Sequence, residues 1–193
     1  AITTGKNGSN SSNFYLDRFD EWGRTAWHQD EAGKYTRYQY ETLTGALTTL
    51  SEDADKDSLT GPTGGDWITT ADGLNAITSI GVDALGRPIS VTAPNGNITR
   101  TVFLDAAHEV RVYEGWHASG MTYAATGPTT VIKRNQDTAS GSIFYEVLTM
   151  TVTPGVSGSN PTGGESISGL LTLSRSITNE AAQITSDENY YNL

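Results

Sequence analysis

Two segments of the chain carry the same turn signature in the same register. Residues 20–24 and 83–87 both have the pattern Asp-x-x-Gly-Arg, and a Gly-x-x-Thr pattern follows each copy at 33–36 and 96–99. In both copies, ten positions separate the glycine of the first pattern from the glycine of the second. A repeat that keeps its spacing over this length indicates a supersecondary unit, here two strands and two turns. The chain therefore contains a β-hairpin repeat.

Short runs of alternating apolar and polar residues lie between the turn signals. The clearest are residues 35–40, 89–92, 110–113 and 148–152. Alternation with period two is typical of half-buried strands, and the Asp, Asn, Gly and Pro clusters between the runs are typical of β-turns. No stretch sustains apolar residues at helical spacing. The sequence predicts an all-β fold of antiparallel hairpins with little or no helix.

The repeat does not fill the whole chain. Residues 1–13 are almost entirely polar and are predicted to form a flexible arm or a strand that a neighbour borrows. Residues 14–193 are predicted to form a single β-repeat domain, with units at about 15–50 and 79–113 and a degenerate unit at about 172–193. Three segments rich in Gly, Pro, Ser, Thr and Asp, 51–71, 116–129 and 154–165, are expected to be surface excursions whose ends lie close together.

These residues resemble the YD repeat of the RHS family, whose pattern joins an Asp-x-x-Gly-Arg turn to a short strand and a Gly-x-x-Thr segment. The best match is 82–105, VDALGRPISVTAPNGNITRTVFLD, and the next is 19–41. The second turn of each unit departs from the pattern, since Ala46 and Glu109 replace its arginine and His108 replaces one glycine. The resemblance implies a curved sheet, or an arc of the hollow shell that YD repeats form.

The turn signature has a structural explanation. Aspartate at the head of a turn accepts hydrogen bonds from backbone N–H groups that follow it, glycine adopts the positive φ that closes a hairpin, and arginine pairs with an acidic neighbour or a turn carbonyl. The predicted structural turn residues are Asp20, Gly23, Arg24, Asp83, Gly86 and Arg87.

Composition excludes several classes of partner. The chain has 22 acidic and 12 basic residues, a net charge of -10, and no basic stripe that could neutralise phosphates. It also lacks cysteine and any apolar run near the roughly 20 residues that span a bilayer. We expect neither nucleic-acid binding nor membrane insertion. Because the chain starts at Ala1, we expect a processed or excised fragment, or one whose signal has been removed.

Catalytic and metal-binding motifs are mostly lacking. The three histidines, His28, His108 and His117, show no metal-binding spacing and no Ser/His/Asp arrangement, and no phosphate-binding motif is present. We therefore expect no enzymatic activity and no cofactor. One segment resembles a calcium loop, with alternating Asp53, Asp55 and Asp57. Its twelfth position is Gly64 rather than glutamate, so a solvated acidic loop is the favoured interpretation.

Tryptophans are the candidates for a carbohydrate-binding surface. Exposed aromatic rings can stack on sugars, and the candidates for that role are Trp22, Trp27, Trp67 and Trp116. Packing in the core or in turns is the commoner use of tryptophan.

Taken together, these features predict a non-catalytic structural segment of a secreted or cell-surface protein. Its expected partners are identical or neighbouring β-repeat segments, in a homo-oligomer or filament held by strand pairing. The alternative is a carbohydrate-binding or adhesive module with the same fold. A hydrolase that uses two acidic residues is a third interpretation.

Overall fold

The computed structural model describes residues 2–6, 14–63, 67, 73–120 and 122–193. The described residues are all-β apart from one turn of 3-10 helix at Asp105–Ala107, as the sequence predicts. The strands are β1 (Ile2–Lys6), β2 (Phe14–Phe19), β3 (Thr25–Gln29), β4 (Tyr35–Tyr40), β5 (Leu47–Glu52), β6 (Ala76–Val82), β7 (Pro88–Thr92), β8 (Ile98–Leu104), β9 (Glu109–Tyr113), β10 (His117–Ser119), β11 (Thr122–Ala124), β12 (Thr129–Gln136), β13 (Ile143–Met150), β14 (Val156–Ser157), β15 (Asn160–Pro161), β16 (Leu170–Thr178) and β17 (Ile184–Tyr191).

The chain divides into two compact units, residues 1–96 and 97–193. In the first unit, strands β1 to β7 lie side by side in chain order, and each is antiparallel to the next. In the second unit the order is β8-β9-β12-β13-β16-β17, again antiparallel throughout. The prediction of antiparallel hairpins is confirmed.

The three predicted excursions leave and rejoin the sheets between paired strands. Glu52 of β5 lies opposite Ala76 of β6, Tyr113 of β9 lies opposite Thr129 of β12, and the end of β13 pairs with the start of β16. The ends of each excursion are therefore close, as expected. Two of the excursions contain small antiparallel ribbons of their own, β10 with β11 and β14 with β15.

The first excursion covers one face of the first unit. Leu16, Trp27 and Tyr35 are buried on that face together with Ala54 and Trp67 of the excursion. Tyr35 stacks on Trp67 with their ring centroids 5.8 Å apart, and its carbonyl accepts a hydrogen bond from the Ala54 amide. Burying this many large rings is a major favourable term in folding, so the excursion is part of the core.

The core of the second unit lies on one face of its longer strands. Val131, Leu148 and Met150 are buried, with Ile167 and Leu170 packed against them. Val131 and Leu148 are register partners on β12 and β13, so alternation along each strand places both on the same face.

Part of the predicted N-terminal arm is a strand. Residues 2–6 form β1, which pairs with β2, and residues 7–13 lie outside the described residues. The two compact units subdivide the range in which the sequence predicts one repeat domain, and the boundaries of the repeats stay predictions. No helix in the described part of the chain is long and apolar enough to cross a membrane.

Candidate functional site

The two copies of the turn signature have the same geometry. The Asp20 carboxylate accepts hydrogen bonds from the backbone N–H groups of Trp22, at 3.0 Å, and Arg24, at 2.9 Å. The Asp83 carboxylate does the same with Leu85 and Arg87, both at 2.9 Å. One carboxylate oxygen thus satisfies two amides that the turn would otherwise leave without a partner.

The arginine of the signature binds the other carboxylate oxygen. The Nε atoms of Arg24 and Arg87 each lie 2.7 Å from Oδ2 of the aspartate four residues earlier. Gly23 and Gly86, one residue before the arginines, have φ of 81° and 79°. These are left-handed values, which explains why glycine occupies this position in both copies.

The same device closes other hairpins, including one at Asp137 that the sequence analysis did not identify. In each of six hairpins, a side-chain oxygen of the first turn residue accepts a hydrogen bond from the backbone N–H two positions later. These residues are Asp20, Asp30, Glu41, Asp83, Asp137 and Asn179. Residues 30–34 have the closely related pattern Asp-x-x-Gly-Lys, so the sequence does contain a signal for the turn at Asp30. The signature defined above ends in arginine and therefore does not include this turn.

Hydrogen bonds within the turns change the acidity of these carboxyls. Burial by itself would raise the pKa of Asp20 and Asp83, but the backbone amides and the paired guanidinium hold each pKa below its ordinary value. The amides of Leu43 and Thr44 lower the pKa of Glu41 to about 2. The carboxyls of Asp20, Glu41 and Asp83 therefore stay charged well below neutral pH.

Three of the four tryptophans predicted as carbohydrate ligands are buried in this structure. Trp27 and Trp67 are each 6% exposed and belong to the core of the first unit, and Trp116 is 3% exposed. The Trp116 ring stacks on Tyr123, and its indole N–H donates to the Ser159 carbonyl at 3.0 Å. Packing accounts for all three, so none of them presents a ring face to a sugar.

The three aspartates of the predicted calcium loop are not brought together. Asp53 pairs with Lys34, the Asp55 carboxylate accepts the Asp57 amide, and the Asp57 carboxylate pairs with Lys56. Across the described residues, no group of three or more His, Asp or Glu side chains is placed to hold a metal ion.

The opposite face of the first unit contains a shallow depression of about 420 Å³. Its lining residues are Asp17, Thr25, His28, Tyr38 and Tyr40. The His28 Nδ1 atom lies 2.8 Å from the Asp17 carboxylate, and the Tyr40 hydroxyl donates to the Thr25 carbonyl at 2.9 Å. Burial, followed by the charge of Asp17, raises the pKa of Tyr38. The depression therefore combines aromatic surface with a hydrogen-bonded carboxylate–imidazole pair.

An arginine between two rings lies beside this depression. The Arg24 guanidinium is 4.3 Å from the Tyr40 ring centroid and 4.8 Å from that of Trp22. Trp22, the fourth tryptophan that the sequence offers for sugar binding, is 60% exposed. The Arg24 guanidinium thus connects the exposed Trp22 indole to Tyr40, which lines the depression.

A buried ion cluster fixes the third excursion to β9. Arg111, 5% exposed, donates from Nε to Glu109 at 2.5 Å and from Nη1 to the Glu165 carbonyl at 2.7 Å. The Glu165 carboxylate also accepts hydrogen bonds from the Tyr113 hydroxyl at 2.7 Å and the Gly155 amide at 3.1 Å. Every charge in this group has a partner, as burial requires.

Glu165 remains ionised despite its burial. Desolvation alone would raise its pKa, but the Tyr113 hydroxyl, the Gly155 amide and the Arg111 guanidinium together lower the pKa below its ordinary value of 4.5. The same burial, with the negative charge of Glu165, raises the pKa of Tyr113. The cluster therefore holds the excursion in place with a charged carboxylate.

A row of alternating charges crosses five strands of the second unit. It consists of Glu109, Lys133, Glu146, Arg175 and Glu188, on β9, β12, β13, β16 and β17, and each residue is the register partner of the next. Lys133 lies 4.0 Å from Glu109, while Arg175 lies 2.7 Å from Glu146 and 3.6 Å from Glu188. We call this row the charge ladder.

The charge ladder ends on a strand with an open edge. Among the described strands, β17 pairs only with β16. Its eight residues include apolar side chains with large exposed fractions, 64% for Ile184 and 70% for Tyr191. An exposed strand edge of this length can pair with another strand.

Comparison with protein-family models and with the sequences of curated proteins finds no match.

The turn geometry predicts the effect of substitutions at the left-handed position. Gly23→Ala should lower the free energy of unfolding by about 1 kcal/mol because alanine is strained at positive φ. Gly86→Ala should lower the free energy of unfolding by more than Gly23→Ala does, because a Cβ at position 86 would lie 3.1 Å from Thr44, whereas a Cβ at position 23 would have no atom within 4 Å. Urea denaturation measures both.

Ala182 provides the reverse test, because it has φ of 59° in the corresponding turn of the second unit. Ala182→Gly should raise stability by up to about 1 kcal/mol. An unchanged or lower stability would contradict the strain argument.

The lowered pKa of Glu165 predicts an acid-sensitive stability. Below its ordinary pKa of 4.5, this carboxyl binds a proton in the unfolded chain before it does so in the folded one. The free energy of unfolding should therefore fall as the pH decreases below 4.5, and Glu165→Gln should remove part of that slope. The measurement is urea denaturation between pH 3 and 7, with the exposed Glu21→Gln as control. Equal slopes for the two variants would contradict the prediction.

Proposed function

We propose that this chain is a non-catalytic structural module of YD-type hairpin repeats that associates with identical copies through strand pairing. The observation that carries the proposal is the open edge of β17, an eight-residue strand with exposed Ile184, Tyr190 and Tyr191. Main-chain hydrogen bonds along such an edge provide affinity for an added strand.

The chemistry of the repeat supports a structural role. The residues of the turn signature bind one another: Asp20 and Asp83 hold their own turns and the arginines four positions later. In the second unit, the charged side chains Arg111 and Glu165 join an excursion to a strand. These side chains serve to close hairpins and cover a sheet face.

The finer picture follows from the resemblance to YD repeats. Under this proposal, the hairpin sheet is curved and forms an arc of a larger assembly outside the cell or on its surface. Hairpins closed by the same turn can be added in series with the same strand spacing, which suits a repeating wall. A segment of this kind needs neither a cofactor nor a nucleic acid partner.

Carbohydrate binding is the second candidate function, and the depression of the first unit is its candidate site in place of the buried Trp27, Trp67 and Trp116. The depression of the first unit has Tyr38 and Tyr40 rings, the Asp17–His28 pair and the exposed Trp22 beside it. Aromatic rings stack on the apolar faces of sugars, and carboxylate and imidazole groups bind sugar hydroxyls.

The first prediction from this proposal concerns the edge. The purified chain should assemble as its concentration rises, and the double variant Ile184→Lys with Tyr191→Lys should raise the concentration of half-assembly by at least about ten-fold, because lysine on an edge strand opposes pairing. Light scattering across dilution, with electron microscopy, measures the assembly.

The matched control is Leu43→Lys with Leu85→Lys, which makes the same charge change at turn positions that are 93% and 72% exposed. It should assemble like the parent chain. A parent chain that stays monomeric at all concentrations would overturn the proposal.

The second prediction tests the alternative. If the depression binds sugars, the chain should bind members of an immobilised array of neutral glycans, and Trp22→Ala or Tyr38→Ala should weaken that binding about ten-fold, the loss expected when an aromatic contact of ~1 kcal/mol or more is removed. Tyr145→Ala, at a half-exposed tyrosine of the second unit, is the control. Equal binding by all variants would exclude this site.

A further inference from the structure

The charge ladder constrains which strand can pair with β17. Along the ladder, every glutamate lies opposite a lysine or arginine on the adjacent strand, from Glu109 on β9 to Glu188 on β17. Opposite charges directly across a sheet stabilise the pairing, and like charges destabilise it. A strand added at the open edge of β17 is therefore favoured when it has a basic residue opposite Glu188.

This constraint disfavours a symmetric pairing of β17 with itself. β17 contains Asp187 and Glu188 and no lysine or arginine. Two copies of β17 paired edge to edge in a register centred on these two residues would bring four carboxylates to one junction, and neither β17 strand would supply a cation across that junction. A symmetric dimer through this edge is thus electrostatically unfavourable.

β1 has the complementary composition. Its sequence, ITTGK, has Lys6 and no acidic residue, and among the described strands it pairs only with β2. An antiparallel alignment that sets Lys6 opposite Glu188 also sets Thr4 opposite Tyr190. Four residues of β1, 3–6, then have partners at 188–191 of β17, and Ile2 lies beyond Tyr191, where β17 ends.

We propose that β17 of one copy pairs antiparallel with β1 of a second copy, with Lys6 opposite Glu188. This inference rests on the proposed function and specifies the two edges that meet. Because the edges differ, the contact is heterologous, and a pair of copies still has one free β1 edge and one free β17 edge. Such contacts form open filaments or closed rings, not isolated dimers.

The test uses charge reversal and its rescue. Lys6→Glu and Glu188→Lys should each raise the concentration of half-assembly about ten-fold, since each replaces an opposite-charge pair with a like-charge pair. The double variant should return to within about three-fold of the parent chain. The control is Lys6→Glu combined with Glu180→Lys, which has the same net charge as that double variant and places the new lysine in a turn of the second unit. Its concentration of half-assembly should stay as high as that of Lys6→Glu alone.

A second measurement does not depend on these charges or on the Arg175–Glu188 contact that Glu188→Lys disturbs. The chain has no cysteine, so an introduced pair reports a single contact. Under oxidation, a Thr4→Cys chain should form a disulfide with a Tyr190→Cys chain. Asn189→Cys in place of Tyr190→Cys should react far less, because successive residues of a strand point to opposite faces.

The outcomes separate the two proposals. Absence of assembly by the parent chain would overturn the proposed function and this inference with it. Assembly without charge rescue and without the Thr4→Cys to Tyr190→Cys disulfide would overturn only the pairing of β1 with β17. Charge rescue together with the disulfide supports both.

Discussion

Hydrogen bonding by one polar side chain within its own turn is the constraint on which the rest of the fold depends. Six hairpins begin with an Asp, Glu or Asn whose side-chain oxygen accepts the backbone N–H two positions later. Each of these bonds fixes where the chain reverses, and the reversal sets which residues of the two strands lie opposite each other. Five of the 22 acidic residues of the chain thus serve as turn caps.

Once the turns set the register, the faces of the sheets become distinct. In the first unit, Leu16, Trp27 and Tyr35 lie under an excursion, while Asp17 and His28 line the other face. In the second unit, the ladder that starts at Glu109 keeps opposite charges adjacent on neighbouring strands. A slip of one residue would move every side chain of a strand to the other face. Turn chemistry and cross-strand pairs therefore favour the same register.

Parts of the candidate sites were predictable from sequence and others were not. The roles of Asp20, Gly23 and Arg24 follow from local turn chemistry, which acts over five residues. The burial of Trp116 was not predictable, because its partners Tyr123 and Ser159 come from different excursions. The same holds for Arg111, whose partner Glu165 is 54 residues away in the chain. The depression beside Trp22 combines residues of three strands, and no motif marks it.

The sequence by itself determined the all-β class, the hairpin turns and the complementary charges of β1 and β17, because these depend on composition and on contacts between near neighbours in the chain. Only the tertiary structure decided which aromatic residues are buried, which carboxylates are paired and which strand edge is open. The physical reason is that burial and ion pairing depend on groups that strand pairing and the excursions bring together from distant parts of the chain, and no local pattern encodes those contacts.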